Sequence, residues 1–173
     1  SKMKNYSFVI ITDQRGKIYY EKHFSKKSLN FKIFIHKVTS PSNKKLILKI
    51  FSLFQILISL LKSLLIIVFQ KPNVVVGFGG YPTVGPLLAA KICNIPSIIH
   101  EQNAIIGRAN KLLSKISNKL ALSFADTKNI EDISNIIFNG NPVRHEFEKI
   151  GNIDYVKLIS KKPFTILIFG GSL

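Results

Sequence analysis

The chain has 173 residues, 46% of them apolar, which is enough to bury a real core and too apolar for a disordered segment. One cysteine, Cys93, excludes a disulfide framework and a cysteine zinc cluster; it follows Ala89 and Ala90, where a buried structural thiol is expected rather than a nucleophile. The formal net charge of +16 is segregated: from Lys22 to His100 eleven lysines meet no Asp or Glu, and a one-signed stretch attracts the phosphates of nucleic acid, anionic lipid or a diphosphate substrate.

A lysine-rich translational bias accounts for the total charge as well, but less readily for its segregation. Residues Ser1 to Asn5 lack the apolar run of a secretory signal, so none is expected there. Tyr6 to Thr12 predicts a short buried strand, ended by Asp13-Gln14-Arg15-Gly16. Phe31 to Val38 alternates apolar with polar residues and predicts a second strand, followed by a loop with Pro41. Leu46 to Phe69 is apolar enough to suggest a membrane span. At about 100° per residue, however, Lys49, Ser52, Gln55, Ser59, Lys62, Ser63 and Gln70 fall within roughly 140° of one another. A continuous polar stripe, with Lys62 near the middle, predicts an amphipathic helix whose wide apolar face meets a sheet, a membrane surface, or both.

Lys71-Pro72 stops that helix. Asn73 to Gly77 predicts a buried strand running into Phe78-Gly79-Gly80-Tyr81-Pro82, and Leu87 to Ile92 a helix. Ile95 to His100 is the next expected strand, Gly107 to Ser117 a helix, and Leu120 to Phe124 and Ile136 to Phe138 two more strands. Gly140-Asn141-Pro142 is a turn, Glu146 to Lys162 reads as linker, and Phe164 to Phe169 starts a new strand before Gly170-Gly171-Ser172. The alternation predicts an α/β chain with a doubly wound parallel sheet. Its divisions are a first domain over 1–145, a linker over 146–163, and the opening strand of a second domain over 164–173.

Three places carry chemistry. Strand, glycine pair and helix bring backbone N–H groups toward a phosphate, and Gly79 and Gly80 permit positive φ and close approach. The spacing is neither that of dinucleotide binding nor a P-loop, and a glycine turn after a strand is by itself ordinary architecture. His100-Glu101-Gln102-Asn103 ends a strand of a parallel sheet, where ligands bind, and forms a polar rim or a solvated loop. His100 is a general base by residue type, or the maker of a structural hydrogen bond. Arg144 follows the Gly140 turn; only Arg15, Arg108 and Arg144 among the 25 basic residues are arginine, which suggests that a planar fork matters there.

GFGGYPTVGP from Gly77 to Pro86, IPSIIHEQN from Ile95 to Asn103, GRANKLLSK from Gly107 to Lys115, GNPVR from Gly140 to Arg144 and GGS from Gly170 to Ser172 together resemble the MurG family, in its order and spacing. Residues 1 to 45 match loosely. The resemblance implies a Rossmann-like N-terminal domain of a GT-B glycosyltransferase that uses a nucleotide sugar, with no cofactor and no structural metal. It implies transfer of N-acetylglucosamine from UDP-N-acetylglucosamine to undecaprenyl-linked muramyl-pentapeptide, at the cytoplasmic face of the bacterial plasma membrane, with an anionic membrane surface as a partner and no nucleic acid.

Carried over by position, Asn103, Arg144 and Ser172 match family residues of the donor sugar nucleotide. Gly79, Gly80, Tyr81, His100, Glu101 and Gln102 match the cleft near the acceptor diphosphate. The family's opening strand and glycine loop have no counterpart before Tyr6, and its later glycine loop runs past Leu173. The chain is thus expected to be a fragment, a split gene product or a decayed remnant, inactive alone, with a separate chain carrying the donor domain as one way to complete it. A non-catalytic basic protein of the membrane surface, or one that binds nucleic acid, is the alternative.

Overall fold

A computed structural model describes residues 7–24, 31–39 and 45–142. All but the last of these belong to a compact unit, Ser1–Asn141; the second unit is Pro142–Leu173. The elements of the first run β1 (Phe8–Thr12), α1 (Gln14–Phe24), β2 (Phe31–Ile35), α2 (Leu46–Gln70), β3 (Val75–Gly77), a 3-10 turn (Tyr81–Thr83), α3 (Val84–Ile92), β4 (Ser97–Glu101), α4 (Arg108–Ser114), β5 (Lys119–Leu122) and β6 (Ile136–Phe138). Every strand pairing is parallel, in two sheets of order β1-β2 and β3-β4-β5-β6. This is the Rossmann-like α/β architecture expected from the alternation of strands and helices.

Local chemistry explains the boundaries. Asp13 caps α1: its Oδ1 accepts the Gly16 N–H at 3.0 Å, satisfying one of the orphan donors of the first turn. This helix is absent from the expectation above, because Gly16 and the polar residues around it hide any apolar period. Lys71 closes α2 in the left-handed region, its N–H reaching the Ile67 carbonyl, and Pro72 prevents continuation. Asn94, also left-handed, ends α3, with the Cys93 N–H on Ala89 O and the Ile95 N–H on Ala90 O.

The core lies between the larger sheet and its helices, where Leu87 of α3 and Leu113 of α4 meet Ile99, Leu120 and Leu122. Helix α2 packs mainly on α3, with Ile67, Leu60 and Leu64 against Ala89 and Ala90 and Ser59 against Gly85. Ser52, Ser59 and Ser63 are buried, whereas Ile50, Phe54, Leu57, Leu61, Leu65 and Val68 are exposed. The polar stripe foreseen for this helix exists, but much of it faces the protein instead of water. Two hydroxyls are satisfied within the helix, Ser52 Oγ donating to Leu48 O at 2.9 Å and Ser63 Oγ to Ser59 O at 2.7 Å. The small side chain of Ser59, whose Oγ pairs with His36 Nδ1 at 2.7 Å, lets α2 approach α3 at Gly85, where an added Cβ would lie 2.8 Å from the Ser59 carbonyl carbon and 2.9 Å from the Leu60 nitrogen.

Candidate functional site

At the carboxyl ends of β3 and β4 the chain leaves the sheet in two loops, and an open cleft of about 370 Å³ lies between them and the start of α4. Gly79 and Gly80 form one wall, at φ +86° and +76°, values that a side chain disfavours. At Gly79 space is tight as well: a Cβ there would stand 3.0 Å from Asn110 Nδ2, so that amide would have to give way. The Gly80 carbonyl accepts from Thr83 Oγ1 at 2.7 Å, which fixes the turn into α3. Gln102 ties the two loops together by donating from Nε2 to the Phe78 carbonyl at 3.0 Å.

Glu101 organises the opposite wall. It is fully buried, with no basic side chain paired to it among the described residues, and backbone and amide donors hold it. Its Oε1 accepts from the Asn103 N–H at 3.0 Å and from Asn103 Nδ2 at 2.7 Å; its Oε2 accepts from the Gly107 N–H and Asn110 Nδ2, both at 2.8 Å. One carboxylate therefore gathers the Gln102–Gly107 loop against α4. It also orients Asn103, which is itself exposed at the cleft.

His100 is buried and does not line the cleft. Its Nε2 lies 3.1 Å from the Gly140 carbonyl, to which it donates, and its Nδ1 has no partner among the described residues. The Phe78 ring stands 5.8 Å away. Here the imidazole holds the Gly140 turn against β4.

The structure thus brings Gly79, Gly80, Tyr81, Glu101, Gln102 and Asn103 to one cleft. Arg144 and Ser172 lie outside the described residues. Two residues join the site that were not assigned to it from the sequence. Asn110, buried, links Glu101 to the His100 carbonyl; Arg108, exposed, is the one basic residue lining the cleft among those described. The scarcity of arginine pointed at Arg108 but gave it no place.

The family model for the glycosyltransferase family 28 N-terminal domain matches residues 13–122. The chain belongs to this glycosyltransferase family. An Agrobacterium fabrum protein named UDP-N-acetylglucosamine–N-acetylmuramyl-(pentapeptide) pyrophosphoryl-undecaprenol N-acetylglucosamine transferase is 36% identical over 173 residues, 99% of this chain and 44% of its own length. A Rhizobium meliloti protein of the same name is 47% identical over 102 residues, 59% of this chain and 27% of its own. The chain therefore spans less than half the length of these relatives. The crystal structure of Acinetobacter baumannii MurG superposes with a TM-score of 0.58 at 19% identity, over 86% of this chain and 50% of that one, a likeness of fold.

Proposed function

We propose that this family 28 chain is the acceptor-side half of a MurG-type transferase, which moves N-acetylglucosamine from UDP-N-acetylglucosamine to undecaprenyl-pyrophosphoryl-muramyl-pentapeptide. The observation that carries the reading is the 36% identity, along nearly the whole chain, to a relative of that name. In the cleft, Gly79 and Gly80 permit close approach of the acceptor diphosphate, and Gln102 and Arg108 supply donors and charge at its rim. Asn103 is held by Glu101 with its own carbonyl oxygen turned to no described partner, and serves the donor together with Arg144 and Ser172. The acceptor hydroxyl attacks the anomeric carbon with inversion as the bond from that carbon to UDP breaks, the hydroxyl proton passes to solvent, and charge and hydrogen-bond donors stabilise the leaving diphosphate.

Membrane attachment belongs to the same proposal. The exposed apolar side of α2 dips into the cytoplasmic face of the membrane, while the acid-free lysine stretch attracts anionic headgroups. The reading is tested in a chimera in which residues 7–173 replace the matching part of the Agrobacterium fabrum relative. Arg144→Lys loses the planar fork and Asn103→Ala an oriented amide, so each should lower kcat/KM roughly tenfold or more without lowering Tm. Full activity in both variants, or loss only through unfolding, would remove these residues from the site.

A further inference from the structure

One cation interrupts an apolar stripe of α2. At about 100° per residue, Phe51, Phe54, Ile58, Lys62, Leu65 and Phe69 fall within about 80° of one another along the helix. Phe51, Phe54, Leu65 and Phe69 are exposed. No Asp or Glu occurs between Lys22 and His100, and no carboxylate pairs with Lys62 among the described residues. Two open hollows, of about 520 and 510 Å³, flank this lysine, and Ile35, His36 and Lys62 line both. Phe51, Phe54 and Ile58 continue the first hollow along α2; Leu65 and Phe69 continue the second. The polar groups around Lys62 are already held in place. His36 is buried, its Nδ1 2.7 Å from Ser59 Oγ. Thr39 donates from N and Oγ1 to Gln55 Oε1 at 3.0 and 2.8 Å, which leaves the amide Nε2 as a donor. Gln55 and the exposed Lys37 both line the first hollow.

We propose that Lys62, Lys37 and the Gln55 amide hold the phosphate of one anionic phospholipid of the bilayer, whose acyl chains cover the apolar stripe on either side of Lys62. The inference rests on the membrane attachment proposed above and adds a discrete lipid site to it. Charge is complementary: two ammonium groups and an amide donor, with no competing carboxylate, meet a group with a negative charge and several acceptor oxygens. The surroundings decide the source of that phosphate. A free phosphate or a nucleic-acid backbone leaves Phe51, Phe54, Leu65 and Phe69 in water, whereas a lipid brings apolar chains together with its headgroup. Diffuse attraction of a lysine-rich surface to anionic lipid depends on how many lysines there are and little on which. A built site singles out Lys62, the residue shared by both hollows.

The test titrates the full chain with dihexanoylphosphatidylglycerol below its micelle threshold, following backbone amide NMR shifts. The amides of Lys37, Gln55 and Lys62 should shift together and saturate at one lipid per chain. Dihexanoylphosphatidylcholine and inorganic phosphate should each bind roughly tenfold more weakly or worse, one lacking net charge and the other lacking chains. Lys62→Gln should weaken phosphatidylglycerol roughly tenfold or more without changing Tm. Lys49→Gln removes the same charge about 20 Å along α2, beyond the Debye length at about 0.15 M salt, and should change affinity less than about twofold. Shifts that never saturate, equal binding of phosphatidylcholine or phosphate, or equal losses in the two variants would overturn the lipid site. If the chain still sediments with phosphatidylglycerol vesicles in that event, the membrane attachment stands without it. A chain that does not sediment with those vesicles removes the attachment, and the lipid site with it.

Discussion

Glu101 shows how much a single buried carboxylate can organise. Its four acceptor contacts go to the Asn103 amide and side chain, Gly107 and Asn110, so Glu101→Gln sets an NH2 group against an existing donor. The loss is expected to be about 2–3 kcal/mol, read as a drop in Tm with looser protection of the 102–107 loop. His36 offers a second test. It is buried with Nδ1 2.7 Å from Ser59 Oγ; burial, and then the charge of Lys62, hold its pKa below the ordinary value of 6.5. The unfolded chain takes up this proton at higher pH than the folded one. Stability is therefore intact above the ordinary value and falls as pH drops through it toward the folded one. Urea midpoints measured at about pH 7 and about pH 5 should show this fall, and His36→Asn, which does not titrate, should flatten it. From the sequence, Glu101 was legible as part of a polar rim but not as its buried anchor. That role depends on donors from Gly107 and Asn110, which only the turn into α4 brings back.

At the scale of elements, the strands and the long helix were legible because apolar periodicity reports burial directly. The orientation of α2 was not. Hydropathy counts Ser52, Ser59 and Ser63 as polar and turns them outward, yet all three are buried, Ser52 and Ser63 bonded to their own helix and Ser59 to His36, and Ser59 sits where α2 comes close to Gly85 of α3. Helix α1 was missed for the opposite reason: its cap, Asp13, was visible, but Gly16 suggested a turn. The α2 geometry separates two kinds of substitution. Gly85→Ala forces the Ser59–Leu60 backbone away and should cost about 1–3 kcal/mol of stability. Replacing exposed Leu57, Leu61 and Leu65 together by serine should leave Tm nearly unchanged but sharply reduce sedimentation with vesicles of anionic lipid. If the triple variant unfolds, or binds vesicles as before, the membrane face is elsewhere. On the proposed membrane attachment, carbonate should release the unsubstituted protein, because a helix packed on α3 would lie on a bilayer rather than across it.

For the whole molecule, the family and its fold were readable from the glycine turns, HEQN and GNPVR, whose spacing survives where overall composition has drifted to lysine. On the proposed function the chain carries one wall of a two-domain active site, and positioning both substrates accounts for about 7–11 kcal/mol of a typical barrier. The 173-residue chain alone should therefore yield no transfer above background. The most direct measurement compares it with the chimera carrying residues 7–173 in the Agrobacterium fabrum relative, both given labelled UDP-N-acetylglucosamine and the lipid-linked muramyl-pentapeptide acceptor. The account predicts labelled disaccharide product from the chimera and none from the chain alone. A folded chimera that makes no product, or a chain that turns over by itself, would contradict it.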